Sequence, residues 1–219
     1  MLEKILNLIY PPTCGICGKI DKNFLCAECL KAVNLLKRNH IDFYDKKDNY
    51  YNKHFYIFEY NDLIRDKILD YKFNNNAYLY KTFEKILIND KIICDFINCY
   101  DIIIPVPIHK RRKRERGYNQ TELIIKTYIK ESKKNTLMYN NVLIKVKNNN
   151  RQSELSKKER KENVKDAYCL DNIKSHLLEG KKILIFDDIY TTGNTVKECA
   201  RVLNEARVKT IDVLTIAKD

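Results

Sequence analysis

Short unbroken apolar runs alternate along this chain with longer stretches in which apolar residues recur every three or four positions, the pattern of buried strands joined by amphipathic helices. Ile183-Leu184-Ile185-Phe186 is too short for a helix and rich in strand formers, so it reads as a strand buried on both faces. Beyond it, Val196, Ala200 and Leu203 with charges between them predict a helix, and Thr195 with Glu198 predicts a capping box at its start. Asp101 to Pro107 reads as a second buried strand, stopped by its prolines, which cannot join a central ladder. His54 to Tyr60, Val142 to Val146 and 209 to 217 read as further strands. Helical period appears from Asp62 to Tyr71 (Ile64, Ile68), from Ala77 to Ile88 (Leu79, Phe83, Ile86, Leu87) and over 118 to 131 (Ile124, Ile125, Tyr128, Ile129). Residues 31 to 53 are polar and aperiodic and read as a connector. A boundary near residue 50 therefore divides an N-terminal segment, 1–49, from an α/β domain, 50–219, with a parallel sheet and helices on both faces.

At 219 residues and 44% hydrophobic content there is room for one medium domain and a small appendage. The apolar start, Met1 to Ile9, is broken by Glu3, Lys4 and Asn7 and ended by Pro11-Pro12, so it reads as neither a signal peptide nor a membrane helix, and no membrane insertion is expected. With 41 Lys and Arg against 29 Asp and Glu the net charge is +12, which favours phosphate-bearing partners. Because Lys is abundant throughout, only clusters of basic residues carry weight.

Eight cysteines without an export signal point to metal binding and free thiols in a reducing cytoplasm. Cys14-Gly-Ile-Cys17 and Cys26-Ala-Glu-Cys29 are two C-x-x-C knuckles joined by a short loop, the spacing of a structural, tetrahedral Zn²⁺. A redox pair is normally single and opens a helix in a βαβ setting, which fits this arrangement less well. Lys19, Lys22 and Lys31 lie close enough in sequence to offset the thiolate charge. Cys94, Cys99, Cys169 and Cys199 lack knuckle spacing and read as buried free thiols.

The strand at Ile183 ends in Asp187-Asp188, followed by Ile189-Tyr190-Thr191-Thr192-Gly193-Asn194-Thr195. Strand, hydroxyl-rich turn and helix start in that order put backbone N–H groups and the positive end of a helix dipole where a phosphate can sit. The five glycines fall into neither a Walker loop nor a Rossmann fingerprint. A solvated turn and a magnesium site of phosphotransfer proteins are the other readings of paired acids here. The second strand is followed by Lys110-Arg111-Arg112-Lys113-Arg114-Glu115-Arg116, the densest positive cluster, placed where open α/β sheets bind ligands. It suits a pyrophosphate, a nucleic-acid backbone or plain solvation. His109 reads as structural.

The Asp-Asp and Thr-Thr-Gly stretch resembles the signature of type I phosphoribosyltransferases. The wider set resembles the ComF family of competence-associated proteins: 105 to 120, Arg151-Gln152-Ser153 with Leu155, Arg160, Asn163-Val164 and Ala167-Tyr168, then Phe186 to Gly193, behind a zinc ribbon. Many relatives carry more cysteines before the main domain; residues 30 to 60 contain none, so one zinc is expected. The resemblance implies a type I phosphoribosyltransferase-like domain binding phosphoribosyl pyrophosphate, or a related sugar phosphate, with Mg²⁺. It assigns Asp187 and Asp188 to the ribose hydroxyls, and Thr191, Thr192, Gly193, Asn194 and Thr195 to the 5′-phosphate. Arg111, Arg112 and the Pro105 to Pro107 turn fall near the leaving pyrophosphate, and the polar stretch 147 to 161, with Arg151, Gln152 and Arg160, is expected to close over the donor. Two functions compete: phosphoribosyl transfer to an acceptor the sequence does not identify, and a non-catalytic DNA-uptake factor that keeps the sugar-phosphate site and meets single-stranded DNA or a competence helicase through residues 110 to 116.

Overall fold

The computed structural model describes residues 11–74, 76–132, 136–148 and 164–219. After the cysteine knuckles the elements run α1 (Ala27–Leu36), β1 (Lys37–Phe43), α2 (Lys46–Asn49), β2 (Lys53–Glu59), α3 (Asp62–Phe73), α4 (Leu79–Ile88), α5 (Lys91–Ile97), β3 (Ile102–Pro105), α6 (Lys110–Arg116), α7 (Gln120–Ser132), β4 (Leu137–Met138), β5 (Leu143–Lys145), β6 (Tyr168–Leu170), β7 (Lys182–Tyr190), α8 (Asn194–Asn204) and β8 (Thr210–Lys218). Six strands form one sheet in the order β1-β2-β8-β7-β3-β4; all neighbours are parallel except β1, which runs antiparallel to β2. A separate antiparallel hairpin joins β5 and β6.

Strand alternation divides the core in two. On one face Ile103, Leu184, Phe186 and Leu214 pack with Ile64, Ile68 and Tyr71 of α3, Phe83 of α4 and Ile124 and Tyr128 of α7. On the other, Ile102, Ile104, Ile183, Ile185 and Val213 pack with Val196, Ala200 and Leu203 of α8 and with Leu143 and Tyr168 of the hairpin. These side chains are essentially inaccessible to water, and at about 25 cal/mol per Å² of apolar surface removed from water their burial is the main favourable term in folding. The paths out of β3 and β7 diverge. From β3 the chain passes through α6 and α7 to β4 at one edge; from β7 it passes through α8 to β8 on the other side. The crevice at the carboxyl ends of β3 and β7 is thus the topological switch point, where sheets of this kind bind ligands.

Residues 31 to 53 are not a connector. They complete α1, form β1 and build the one-turn helix α2, capped by Asp45, whose carboxylate accepts from Lys47 N at 2.9 Å. β1 shows no apolar alternation because it is an edge strand, half-covered on one side only. Its pairing with β2, His40 opposite Tyr56 and Ile41 opposite Phe55, crosses the boundary expected at 49/50. Cys14, Leu25 and Val33 lie in the same apolar cluster as Phe55 and Leu184, so the knuckles and the sheet share one core. Gly15 shows how close that docking is: a Cβ there would stand 2.3 Å from Thr82 Oγ1, which itself donates to Phe24 O at 2.7 Å. Of the four other cysteines Cys199 is buried and Cys94 and Cys169 are partly so, but Cys99 is exposed, against expectation. No described helix is long and apolar enough to cross a membrane.

Candidate functional site

β7 carries its apolar run straight into the acid pair. Period two sends Asp187 to the face of Ile183 and Ile185, and Asp188 to the face of Leu184 and Phe186. Both are buried, at 8% and 5% exposure, but their surroundings differ. Asp188 Oδ1 meets Lys72 Nζ, from the last turn of α3, at 2.7 Å, and Oδ2 accepts from Gln120 Nε2, at the start of α7, at 2.9 Å. Gln120 in turn accepts from Arg116 Nη1. Asp187 accepts from the Asp188 N–H at 2.9 Å. Burial, then the neighbouring Asp188 charge, push its carboxyl up to about 7; Lys72, that N–H and Lys145 pull the other way. Lys145, at the end of β5, lies 5.2 Å over the Tyr168 ring, and burial holds its ammonium below the usual lysine range while Asp187 favours its charge. Two lysines, one on each face of the sheet, therefore stand within electrostatic reach of the acid pair.

The loop behind the acids rests on a buried aromatic floor. Gly193 has φ of 72°, and a Cβ on it would lie 2.3 Å from Tyr190 Oη, so both conformation and space demand glycine. Tyr190 is held by a 2.9 Å hydrogen bond to Tyr51 Oη and by stacking on His54, ring centroids 4.1 Å apart. His54 stays uncharged, its pKa pushed down to about 3 by burial, and its Nε2 bonds Thr215 Oγ1 at 2.7 Å. Gly193 is also the N-cap of α8 and has no side chain with which to cap it. The expected Thr195–Glu198 box does not form; Glu198 instead accepts from Asp166 N at 3.0 Å and pairs with Arg201 at 2.9 Å. Thr191, Thr192, Asn194 and Thr195 are half-buried around the turn, with the first turn of α8 behind them. This is a backbone anion cradle beside two carboxylates.

Across the crevice the Pro105 to Pro107 turn is pinned by its middle residue: Val106 O accepts from Asn119 Nδ2 at 3.1 Å and Thr121 Oγ1 at 2.9 Å, and Val106 N donates to Phe186 O at 2.9 Å. The basic cluster is a helix, α6, not a loop, because His109 Nδ1 caps it and Gly117 closes it at φ 85°. Helical spacing sorts its charges. Arg111 is exposed and paired with Glu115 at 2.9 Å, and Arg114 is exposed, while Arg112 and Arg116 are half-buried. The Arg112 charge reaches Lys145 and Tyr168, and Arg116 lies 5.6 Å over the Phe73 ring and within reach of Asp188. Of the two arginines expected at the ligand, Arg112 lies within electrostatic reach of Lys145 and Tyr168, while Arg111 is exposed and paired with Glu115. Arg151, with Gln152 and Arg160, lies outside the described residues. Lys72, Lys145, Arg116 and Gln120 are the site residues sequence reasoning missed. The first two look like any solvated lysine of a Lys-rich chain, and only the juxtaposition of α3 and β5 with β7 singles them out.

The second cluster is the knuckle pair. The four Sγ atoms of Cys14, Cys17, Cys26 and Cys29 lie within 4.8 Å of one another, and Cys17 and Cys26 are 3.8 Å apart. A Zn–S bond of about 2.3 Å gives a tetrahedral edge of roughly 3.8 Å, so this donor set fits zinc in size and chemistry. Cys26 also caps α1 by accepting from Cys29 N at 3.5 Å, which ties the knuckle to the helix that follows. Lys19 pairs with Glu28 at 3.1 Å and feels the Cys17 and Cys26 charges. This is the one such cluster among the described residues.

Residues 137–219 match the phosphoribosyl transferase domain family and residues 5–40 the double zinc ribbon domain family. Along its length the chain is 27% identical to Competence protein F of Haemophilus influenzae, over 94% of this chain and 85% of the relative. It is 30% identical to Competence protein ComFC of Bacillus subtilis, over 93% of this chain and 75% of the relative. A shorter match, 30% over 54% of this chain and 49% of the relative, is to the DNA utilization protein YhgH of Escherichia coli O6:H1.

Proposed function

The chain belongs to the ComF family of competence proteins, and we infer that it binds phosphoribosyl pyrophosphate at the β3/β7 crevice and acts in DNA uptake. The observation that carries the ligand is the buried Asp187–Asp188 pair beside a glycine-closed turn at a helix start. Carboxylates accept well from two vicinal hydroxyls, and backbone N–H groups with threonine hydroxyls donate well to a phosphate. In this reading Asp187 and Asp188 take the ribose, residues Thr191 to Thr195 take the 5′-phosphate, and Arg112 with the pinned Pro105 to Pro107 turn takes the pyrophosphate. Mg²⁺ would accompany the pyrophosphate, held largely by the ligand's own oxygens, and would offset its charge. Transfer to an acceptor would then be a matter of positioning and electrostatics. A zinc held by these four cysteines would be structural, since four sulfur ligands leave no open position.

A second reading, single-stranded DNA binding with a helicase partner, is favoured by the outer face of α6, where Lys110, Arg111 and Arg114 are exposed. The two readings are compatible, since inner and outer faces of that helix use different residues. Isothermal titration with phosphoribosyl pyrophosphate and Mg²⁺ tests the first. Binding is expected in the wild type and absent in Asp187→Asn/Asp188→Asn; no heat and no competition at millimolar ligand would refute the sugar-phosphate site.

A further inference from the structure

We propose that Lys72 is a pyrophosphate ligand that rests on Asp188 in the free protein and moves to the anomeric pyrophosphate when the ribose hydroxyls take over that carboxylate. The proposal rests on the sugar-phosphate reading above and adds to it a residue that contacts the ligand's anomeric pyrophosphate.

The first reason is the position of the ammonium. Lys72 Nζ stands 2.7 Å from Asp188 Oδ1, on the very acceptor the ribose would use, and its side chain is 17% exposed. A lysine and a ribose hydroxyl compete for that oxygen, so ligand binding displaces the ammonium. The second is stereochemical. In an α-ribofuranosyl 1-pyrophosphate the 2- and 3-hydroxyls and the anomeric substituent share one ring face, and the 5-phosphate leaves from the other. A cation displaced from the hydroxyl acceptor therefore finds the pyrophosphate beside it and the 5-phosphate remote.

The third is mechanical. The backbone beneath Lys72 is anchored: Tyr71 Oη donates to Gln120 O at 3.0 Å, Tyr118 Oη donates to Tyr71 O, and the two rings stack with centroids 5.4 Å apart. The flexible four-carbon stem above this anchor lets the ammonium move while its base stays fixed. The fourth is energetic. A largely buried lysine–carboxylate pair is a poor stabilising device compared with an apolar contact of equal volume, so one that joins α3 to β7 across 116 residues suits an exchange of partners better than a static brace. Asp188 would not be left bare by the exchange, since Gln120 Nε2 still donates to its other oxygen.

Titration of wild type, Lys72→Met and Lys72→Arg with phosphoribosyl pyrophosphate and with ribose 5-phosphate, at fixed Mg²⁺, tests this. Losing one charge-assisted contact should weaken phosphoribosyl pyrophosphate about tenfold or more in Lys72→Met. Ribose 5-phosphate should bind as in the wild type or tighter, its competitor for Asp188 being gone, and Lys72→Arg should recover part of the lost affinity. Equal weakening of both ligands would make Lys72 only a support for Asp188, and no change in either would make it a bystander; each result overturns the proposal and leaves the sugar-phosphate reading standing. A wild type that binds neither ligand overturns both. Amine acetylation of the wild type, followed by mass spectrometry, answers the question if the variants fail to fold: phosphoribosyl pyrophosphate should protect Lys72 and ribose 5-phosphate should not. Equal protection by the two ligands overturns the proposal.

Discussion

Replacing either acid of the pair by its amide should move stability in opposite directions, although the two residues are adjacent and both buried. Asp187 holds its proton up to a pH of about 7, against an ordinary value of 3.8. Between these values the folded chain keeps a proton that the unfolded chain has released, so stability falls as pH rises through the window and the full penalty is present above about pH 7. A gap of roughly three units at about 1.4 kcal/mol each sets a ceiling of about 4 kcal/mol. Asp187→Asn carries no charge to bury and can still accept from the Asp188 N–H. At pH 8 it should melt above the wild type, by up to about 8–16 °C at some 2–4 °C per kcal/mol for a chain of this size, and the two curves should meet near pH 4. Asp188→Asn instead strands the Lys72 ammonium, only 17% exposed, and should cost about 2 kcal/mol at neutral pH, less than for a wholly buried pair because the lysine can turn to water. Thermal unfolding of the three proteins from pH 4 to 8, without ligand, reads both effects. A wild-type minus Asp187→Asn difference that does not change with pH would refute the reasoning, as would destabilisation of equal size by both variants.

Three other outcomes are expected. Purified protein should carry one zinc by elemental analysis, and chelation or Cys26→Ser/Cys29→Ser should lower the melting temperature of the whole molecule in a single transition, because Cys14 sits in the main core; two independent transitions would contradict that shared core. Gly193→Ala should cost about 2–4 kcal/mol in urea unfolding, from the left-handed backbone and from displacement of Tyr190 off Tyr51, and should abolish sugar-phosphate binding. Arg112→Ala should weaken phosphoribosyl pyrophosphate with little effect on single-stranded DNA, whereas Arg111→Ala/Arg114→Ala should do the reverse and flatten the salt dependence of DNA binding by about one log–log unit per lost contact; matched effects of the two on both ligands would contradict the two-faced helix.

Local features of this chain were legible because their causes are local. Knuckle spacing brings Cys14 and Cys17, and Cys26 and Cys29, together whatever the rest of the chain does, and the apolar runs at Ile102 and Ile183 are strands because central positions of a parallel sheet are buried on both sides. The acid pair and its Thr-Thr-Gly turn were likewise visible, since strand, turn and helix start follow one another in the sequence. β1 escaped because an edge strand needs few apolar residues, and its partner β2 had to be in place before it could be recognised. The orientation of the basic run escaped because seven charged residues look alike until a helix forms and its packing turns Arg112 and Arg116 inward. What only the tertiary structure decided is which distant cations reach the acids: Lys72 lies 116 residues from Asp188, and a lysine's sequence neighbours say nothing of a partner that chain folding alone brings to 2.7 Å.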